Sequence, residues 1–316
     1  MLYPLKFQPI FKTYLWGGRH LDTIFHKPVP PTGPVAESWE IVDRSDDNSV
    51  VANGPLAGKT LRWLMEHHGK ELLGRAPSWK GRFPLLIKIL DARESLSLQV
   101  HPSNETAAKF GGEPKTEMWH LVHTDPGASL AVGLKRGVTK AKFEAALKDG
   151  TVEKCFHRVP AQPGDTMFVP GGRVHAIGAG CTLFEIQQNS DTTYRVHDWN
   201  RRGPDGKLRE LHIEQAMQVI DFDDIEPSLA KPNGARLVEC PFFSTERYEL
   251  SAAREDRCDG SSFHILCGVS GRAKIVARSS ATGSMGPGDF LLLPANLGEY
   301  RVAPEPRVTF LKVLSP

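Results

Sequence analysis

Apolar residues along this chain fall mostly in short runs, and few of them keep a helical period. Four segments do. Thr60 is placed to cap a helix over Leu61–Leu73, where Leu61, Leu64, Met65, Leu72 and Leu73 recur at near-helical spacing before Gly74. Ser103 opens a short helix over Asn104–Phe110. Thr139 opens another over Lys140–Lys148, with Phe143 and Leu147 four apart and a stop at Gly150. Residues Glu210 to Phe222 put Leu211, Ile213, Ala216, Met217 and Ile220 on one broad side, which predicts a helix there. Almost everything else reads as strand. Runs at 85–90, 95–101, 116–123, 129–134, 166–169, 182–188 and 194–199 are separated by Gly, Pro, Asp or Asn. Further strands are predicted at 243–250, 262–267, 273–277, 290–293 and 308–313.

An internal repeat organises these runs. Pro163-Gly164-Asp165 leads into Thr166-Met167-Phe168-Val169-Pro170, and Pro287-Gly288-Asp289 leads into Phe290-Leu291-Leu292-Leu293-Pro294. Each copy is a tight turn feeding a four-residue apolar strand that proline ends. Between them, Pro227 to Gly234 is polar, rich in Pro and too poor in apolar residues to pack, so it reads as a linker. The expectation is two domains of one architecture, at residues 1–226 and 235–316. After the repeat the copies diverge. His175 arrives five residues after Pro170, and Glu299 stands at the matching place in the second copy. Only the first domain is expected to hold a metal.

Composition narrows the class. The 316 residues are 40% hydrophobic and 24% charged, which excludes a disordered chain. Lys+Arg number 39 and Asp+Glu 37, too balanced to indicate a nucleic-acid or membrane-surface partner. Gly and Pro contribute 29 and 24 residues, which suits many short strands with frequent turns. The five cysteines are odd in number, irregularly spaced and without a CxxC pair. They read as free thiols of a cytoplasmic protein. No signal peptide or spanning helix is expected.

The candidate chemistry lies on the strands. In Leu96-Ser97-Leu98-Gln99-Val100-His101-Pro102, alternation puts Ser97, Gln99 and His101 on one face, each about 7 Å from the next. That spacing lets Gln99 and His101 converge on one ion, though a polar outer strand face would show the same pattern. Glu117 interrupts an apolar strand, where a carboxylate is costly unless exposed, paired or metal-bound. Together Gln99, His101, Glu117 and His175 offer two imidazoles, a carboxylate and an amide oxygen, a set suited to Zn²⁺ or a similar divalent ion. Lys88 stands inside Leu85-Leu86-Ile87-Lys88-Ile89-Leu90, so it is paired or used. Asp191 and Arg195 sit in the dense polar stretch 187–199, and His197 lies close by. Three patterns are set aside. Gly54 to Thr60 is one residue short of a P-loop, Asp221/Asp223/Asp224 lack the rest of a calcium loop, and His67 and His68 are adjacent on a helix.

Five segments together resemble the type I phosphomannose isomerases in their short bacterial form. They are Phe83–Lys88, Leu96–Pro102, Lys115–Trp119, Val169–Gly178 and Asp191–Arg195, and the likeness runs over nearly the whole chain. The resemblance implies a mainly β fold of two cupin-like jelly rolls with a few inserted helices. It implies one Zn²⁺ per chain, held by Gln99, His101, Glu117 and His175. Arg195 and Lys115 correspond to active-site groups, and Lys88, Ser97 and Asp191 to residues lining the substrate site. The implied reaction interconverts mannose 6-phosphate and fructose 6-phosphate through an enediol. The implied partner is a small phosphorylated sugar, with the chain a monomer or weak homodimer. Arg195 is a fixed cation and a poor base. It serves the enediolate or the phosphate, and Lys88 and Lys115, as other available cations, favour the first role. A metal-bound hydroxide, Glu117, His101 and Lys115 are all conceivable bases. Two other classes fit the residues less well. A cupin dioxygenase usually carries His where Gln99 stands, and a non-catalytic sugar-binding cupin needs no complete ligand set.

Overall fold

The computed structural model describes residues 2–203, 206–278 and 282–316. The chain is mainly β, with few helices. Three predicted helices begin and end where the sequence places them, each on its predicted cap. Thr60 accepts from the Trp63 N–H, Ser103 forms a reciprocal capping box with Thr106, and Thr139 accepts from the Lys142 N–H. The fourth is shorter than predicted, Ile213–Val219. His212 donates its backbone N–H to the Arg195 carbonyl of strand Tyr194–His197, and Asp221 donates to Gly172 in the turn before His175, so the flanking residues are tied to other parts of the chain. A four-residue helix, His20–Thr23, and short strands at Phe7–Gln8, Ile10–Lys12 and Glu37–Ile41 carried no readable pattern.

Two sheets build the first half. One has six strands in the order Thr166–Val169, Glu117–Thr124, Cys181–Gln188, Leu85–Ala92, Glu37–Ile41, Ile10–Lys12. The other has five: Tyr194–His197, Leu98–Val100, His175–Ile177, Ser129–Leu134, Phe156–Pro160. All ladders are antiparallel. Residues directly opposite share a face. Trp119, Glu185, Lys88 and Trp39 therefore form one polar-aromatic row across the six-stranded sheet. Arg195, Gln99 and His175 form a row across the five-stranded one.

The back face of the six-stranded sheet carries Leu85, Ile87, Ile89, Met118, Phe184 and Ile186. These share one core with Phe243, Phe263, Ile265, Phe290, Leu292, Leu311 and Val313. Strand Leu85–Ala92 is thus covered on both sides, which explains its nearly unbroken apolar run. Residues 236–314 form their own seven-stranded sheet. The predicted strands at 262–267 and 273–277 are one strand, His264–Ala277, and 308–313 is the end of Gly298–Leu314. Two bulges, around Gly268 and Gly271, let the first of these bend without breaking. Gly271 has φ +70°, which read in sequence as a loop.

Candidate metal centre and adjoining cavity

Local chemistry places the ligands. His101 sits one residue beyond strand Leu98–Val100. Gly172 donates its N–H to the His101 carbonyl at 2.8 Å. Gly171 permits this approach, since a Cβ there would meet Ser103 Cα at 2.5 Å. The loop then turns directly into His175, which stands opposite Gln99 in the ladder. Glu117 opens a strand that is internal to the facing sheet, between Thr166–Val169 and Cys181–Gln188, and it is fully buried.

One nitrogen each of His101 and His175 and an oxygen of Glu117 lie within 4.8 Å of one another, and all three residues are buried. His101 Nδ1 bonds the Thr192 carbonyl at 2.8 Å, and His175 Nδ1 bonds the Arg173 carbonyl at 2.9 Å. A carbonyl only accepts, so each Nδ1 carries the proton and each Nε2 presents a lone pair. Those Nε2 atoms stand 3.6 and 3.5 Å from the two Glu117 oxygens. Burial holds His175 down at about pKa 3, and burial, then Lys115, holds His101 well below the usual histidine range. Both are therefore neutral near pH 7, the form in which an imidazole can ligate a metal. Burial, then Glu185, raises Glu117 to about 7. Among the described residues, His101 Nε2 and Glu117 Oε1 have no hydrogen-bond partner despite full burial. A divalent cation would satisfy both, so the donor set fits one. The Gln99 amide lies 3.3 Å from His175 Nε2, and Ser97 Oγ donates to Gln99 Oε1 at 3.3 Å. A half-turn of that amide would present its oxygen, and the Ser97 hydroxyl can then accept from the nitrogen.

A cavity of about 360 Å³ adjoins this cluster. Gln99, Ser97, Lys88, Lys115, Asp191 and Arg195 all line it, so these six candidates reach one space. His197 does not line it and instead packs edge-on against Trp199. The lysines are not free cations. Lys88 lies 3.4 Å from Glu37 and 3.3 Å from Glu185, and Lys115 lies 2.9 Å from Glu117 and 3.9 Å from Glu185. Burial opposes the charge on Lys88, but Glu37 and Glu185 outweigh it and hold its pKa above the usual range. Burial likewise opposes the Glu185 charge, yet Lys115 and Lys88 hold its carboxyl below the usual range.

Arg195 differs. It has no carboxylate within 4 Å among the described residues, its Nε is buried without a partner, and burial and the nearby Arg209 both depress its pKa. Arg209, His212, Tyr14, Trp16, Glu37, Trp39 and Glu185 also line the cavity and were not singled out in the sequence. Glu185 carried a usable signal, a carboxylate within the apolar run Thr182-Leu183-Phe184-Glu185-Ile186, the same signal that marked Glu117. Arg209 carried none, because it lies in an exposed-looking polar loop.

The chain is similar to known proteins over nearly its whole length. Residues 4–126 match the family model described as phosphomannose isomerase type I, catalytic domain. The chain is 36% identical over 309 residues to the mannose-6-phosphate isomerase ManA of Bacillus subtilis (strain 168), covering 95% of each. It is 33% identical over 310 residues to the mannose-6-phosphate isomerase of Streptococcus mutans, again covering 95% of each. The solved structure of the mannose 6-phosphate isomerase from Bacillus subtilis superposes with a TM-score of 0.88 at 30% identity, covering 99% of both chains. The fold is accordingly the cupin-like one of these enzymes.

Proposed function

Because this chain belongs to the type I phosphomannose isomerases and is a mannose-6-phosphate isomerase, we propose that it works with one zinc ion at the buried centre, through an enediol. The observation that carries this reading is the set of convergent, unsatisfied donors beside a cavity rich in cations. His101, His175, Glu117 and Gln99 would hold the ion. When bound, it supplies Lewis-acid polarisation of the sugar's carbonyl and hydroxyl oxygens.

The remaining work falls to the chain. A proton must leave C2 of the aldose and return at C1. Glu185 lines the cavity as a buried carboxylate whose Oε1 lies 3.3 Å from Lys88 Nζ, and it is the base we assign to that transfer. Lys115, between Glu117 and Glu185, serves the substrate oxygens as their proton donor and acceptor. Lys88 keeps Glu185 ionised. Since both lysines are held by carboxylates, the phosphate is left to Arg195, with Arg209, itself 3.4 Å from Asp198, as a supporting cation whose repulsion with Arg195 a dianion relieves. Ser97 orients Gln99, and Asp191 borders the sugar. The C-terminal jelly roll buttresses the six-stranded sheet from behind. The five free cysteines and the soluble sugar phosphate together suit the cytoplasm. A coupled assay on mannose 6-phosphate tests the reading. Turnover of the phosphorylated sugar, with mannose itself at least 10³-fold poorer in kcat/KM, is expected. Equal turnover of the two sugars would contradict the phosphate assignment.

A further inference from the structure

A second cluster of ligating side chains lies outside the cavity. His20 opens the helix His20–Thr23, His123 is near the end of strand Glu117–Thr124, and Asp125 follows it. One ring nitrogen of each histidine and a carboxylate oxygen of Asp125 lie within 4.8 Å of one another. His123 Nε2 stands 3.3 Å from Asp125 Oδ1, and the two imidazole rings meet edge-on with centroids 4.7 Å apart.

The backbone fixes this group. Asp91, Thr182 and His123 are successive partners across three strands. A bulge between Thr182 and Leu183 resets the register so that His123 stands opposite Thr182. Asp125 is held by its N–H to the Gly180 carbonyl and by the Ala128 N–H to its own carbonyl. Asp91, 2% exposed, lies behind His20. Its Oδ2 accepts the His20 backbone N–H at 2.7 Å, and its Oδ1 is 3.3 Å from His20 Nδ1. That Nδ1 also bonds the Thr182 hydroxyl at 2.8 Å. A buried carboxylate behind one ring nitrogen keeps the proton there and leaves the other nitrogen as a lone-pair donor. This is how metal-ligating histidines are commonly oriented. A polar surface corner has no need of such a costly buried group.

We propose that His20, His123 and Asp125 form a second divalent transition-metal site, separate from the buried centre. Two imidazoles and a carboxylate suit zinc and its neighbours, whereas calcium and magnesium prefer oxygen donors alone. The side chains are 27%, 40% and 36% exposed, so an ion can enter and complete its shell with water. The competing cation, Arg93, lies 3.6 Å from Asp125 on a side chain 71% exposed, and can swing aside. His20 follows Trp16 by four residues, and Tyr14 and Trp16 are walls of the cavity. An ion here ties that segment to the sheet.

The test is zinc content by plasma mass spectrometry on the full chain, equilibrated with micromolar free zinc. Two zinc ions per chain are expected. His123→Ala and Asp125→Asn should each hold one and keep isomerase activity within about twofold, whereas His175→Ala should hold one and lose activity. In a thermal melt, the second equivalent should raise the Tm of the native chain but not of His123→Ala. One zinc in the native chain that vanishes in His175→Ala would overturn the second site and leave the buried centre standing. Two zinc ions persisting in both His123→Ala and Asp125→Asn would also overturn it. Zinc lost in His123→Ala but unchanged in His175→Ala would keep the second site and refute the first.

Discussion

The two Pro-Gly-Asp turns are built alike and lead to different chemistry. In the first, Asp165 accepts the Gln162 N–H at 2.8 Å and Gly164 adopts φ +93°. In the second, Asp289 accepts the Gly286 N–H at 2.8 Å and Gly288 adopts φ +74°. Each feeds a four-residue strand that proline ends. Five residues beyond, the first reaches His175, buried among ligands, while the second reaches Glu299, 56% exposed and paired with Arg278 at the surface. The buried polar groups also differ. In the first half, His101 Nε2 and Glu117 Oε1 have no partner among the described residues. In the second, Lys312 lies 2.9 Å from Glu246 and 3.0 Å from Asp256, and His264 bonds the Tyr300 hydroxyl at 2.8 Å. Each cluster holds a lysine, but Lys312 meets both carboxylates of its cluster, whereas Lys115 meets one oxygen of Glu117 and leaves Glu117 Oε1 and His101 Nε2 open to a charge from outside. Shared turn chemistry identifies architecture, and a partnerless buried imidazole and carboxylate distinguish the first half, whereas the partnerless buried atoms of the second among the described residues, Thr245 Oγ1 and Arg247 Nε, make no such donor set.

Removing Glu117 should have the largest effect. Glu117→Gln is expected to lower kcat/KM by about 10³-fold or more through loss of bound metal, as truncation at a metal-centred site does. Full activity with normal zinc content would erase the distinction between the halves. Arg195→Ala and Arg209→Ala should each raise KM roughly tenfold or more, with smaller change in kcat, because a phosphate contact is made in ground and transition states alike. A fall confined to kcat would move the guanidinium to the enediolate. Lys312→Met should cost about 1–3 kcal/mol of stability, by leaving Glu246 and Asp256 unpaired, and leave zinc content and KM unchanged. Chemical denaturation followed by metal analysis reads both. The smallest effect is on acid stability. Burial, then Lys312, pushes His264 down to about pKa 4, while in the unfolded chain it titrates near 6.5. Between those values the unfolded state binds the extra proton, so stability falls as pH falls, by about 1–2 kcal/mol from pH 7 to 5. The Tm of His264→Gln should drop less over that interval than that of the native chain.

Much of this contrast is readable from residue order. Caps at Thr60, Ser103 and Thr139 mark three helices because one hydroxyl and one backbone N–H decide each boundary. Glu117 stands out because a carboxylate interrupts an apolar strand, Gln99 and His101 because alternation puts them on one polar face, and His175 because it breaks the likeness of the two repeats. Long-range closure is not readable. The segment 268–272 resembles a loop, yet pairing with Gly298–Leu314 carries one strand through it by two bulges. Arg209 reaches the cavity because the backbone three residues on, at His212, bonds the Arg195 carbonyl, and no local pattern announces that. The pairing of Lys88 depends on Glu37 and Glu185, both distant in sequence.

The central claim is that the open cluster between the two sheets works by holding a metal ion. Its most direct test is the isomerase rate on mannose 6-phosphate after chelation, followed by stepwise return of zinc with metal content measured at each step. The account predicts at least a 100-fold loss in the stripped protein and recovery as zinc is returned, with no recovery in His175→Ala. An unchanged rate in protein shown to contain no metal would contradict it.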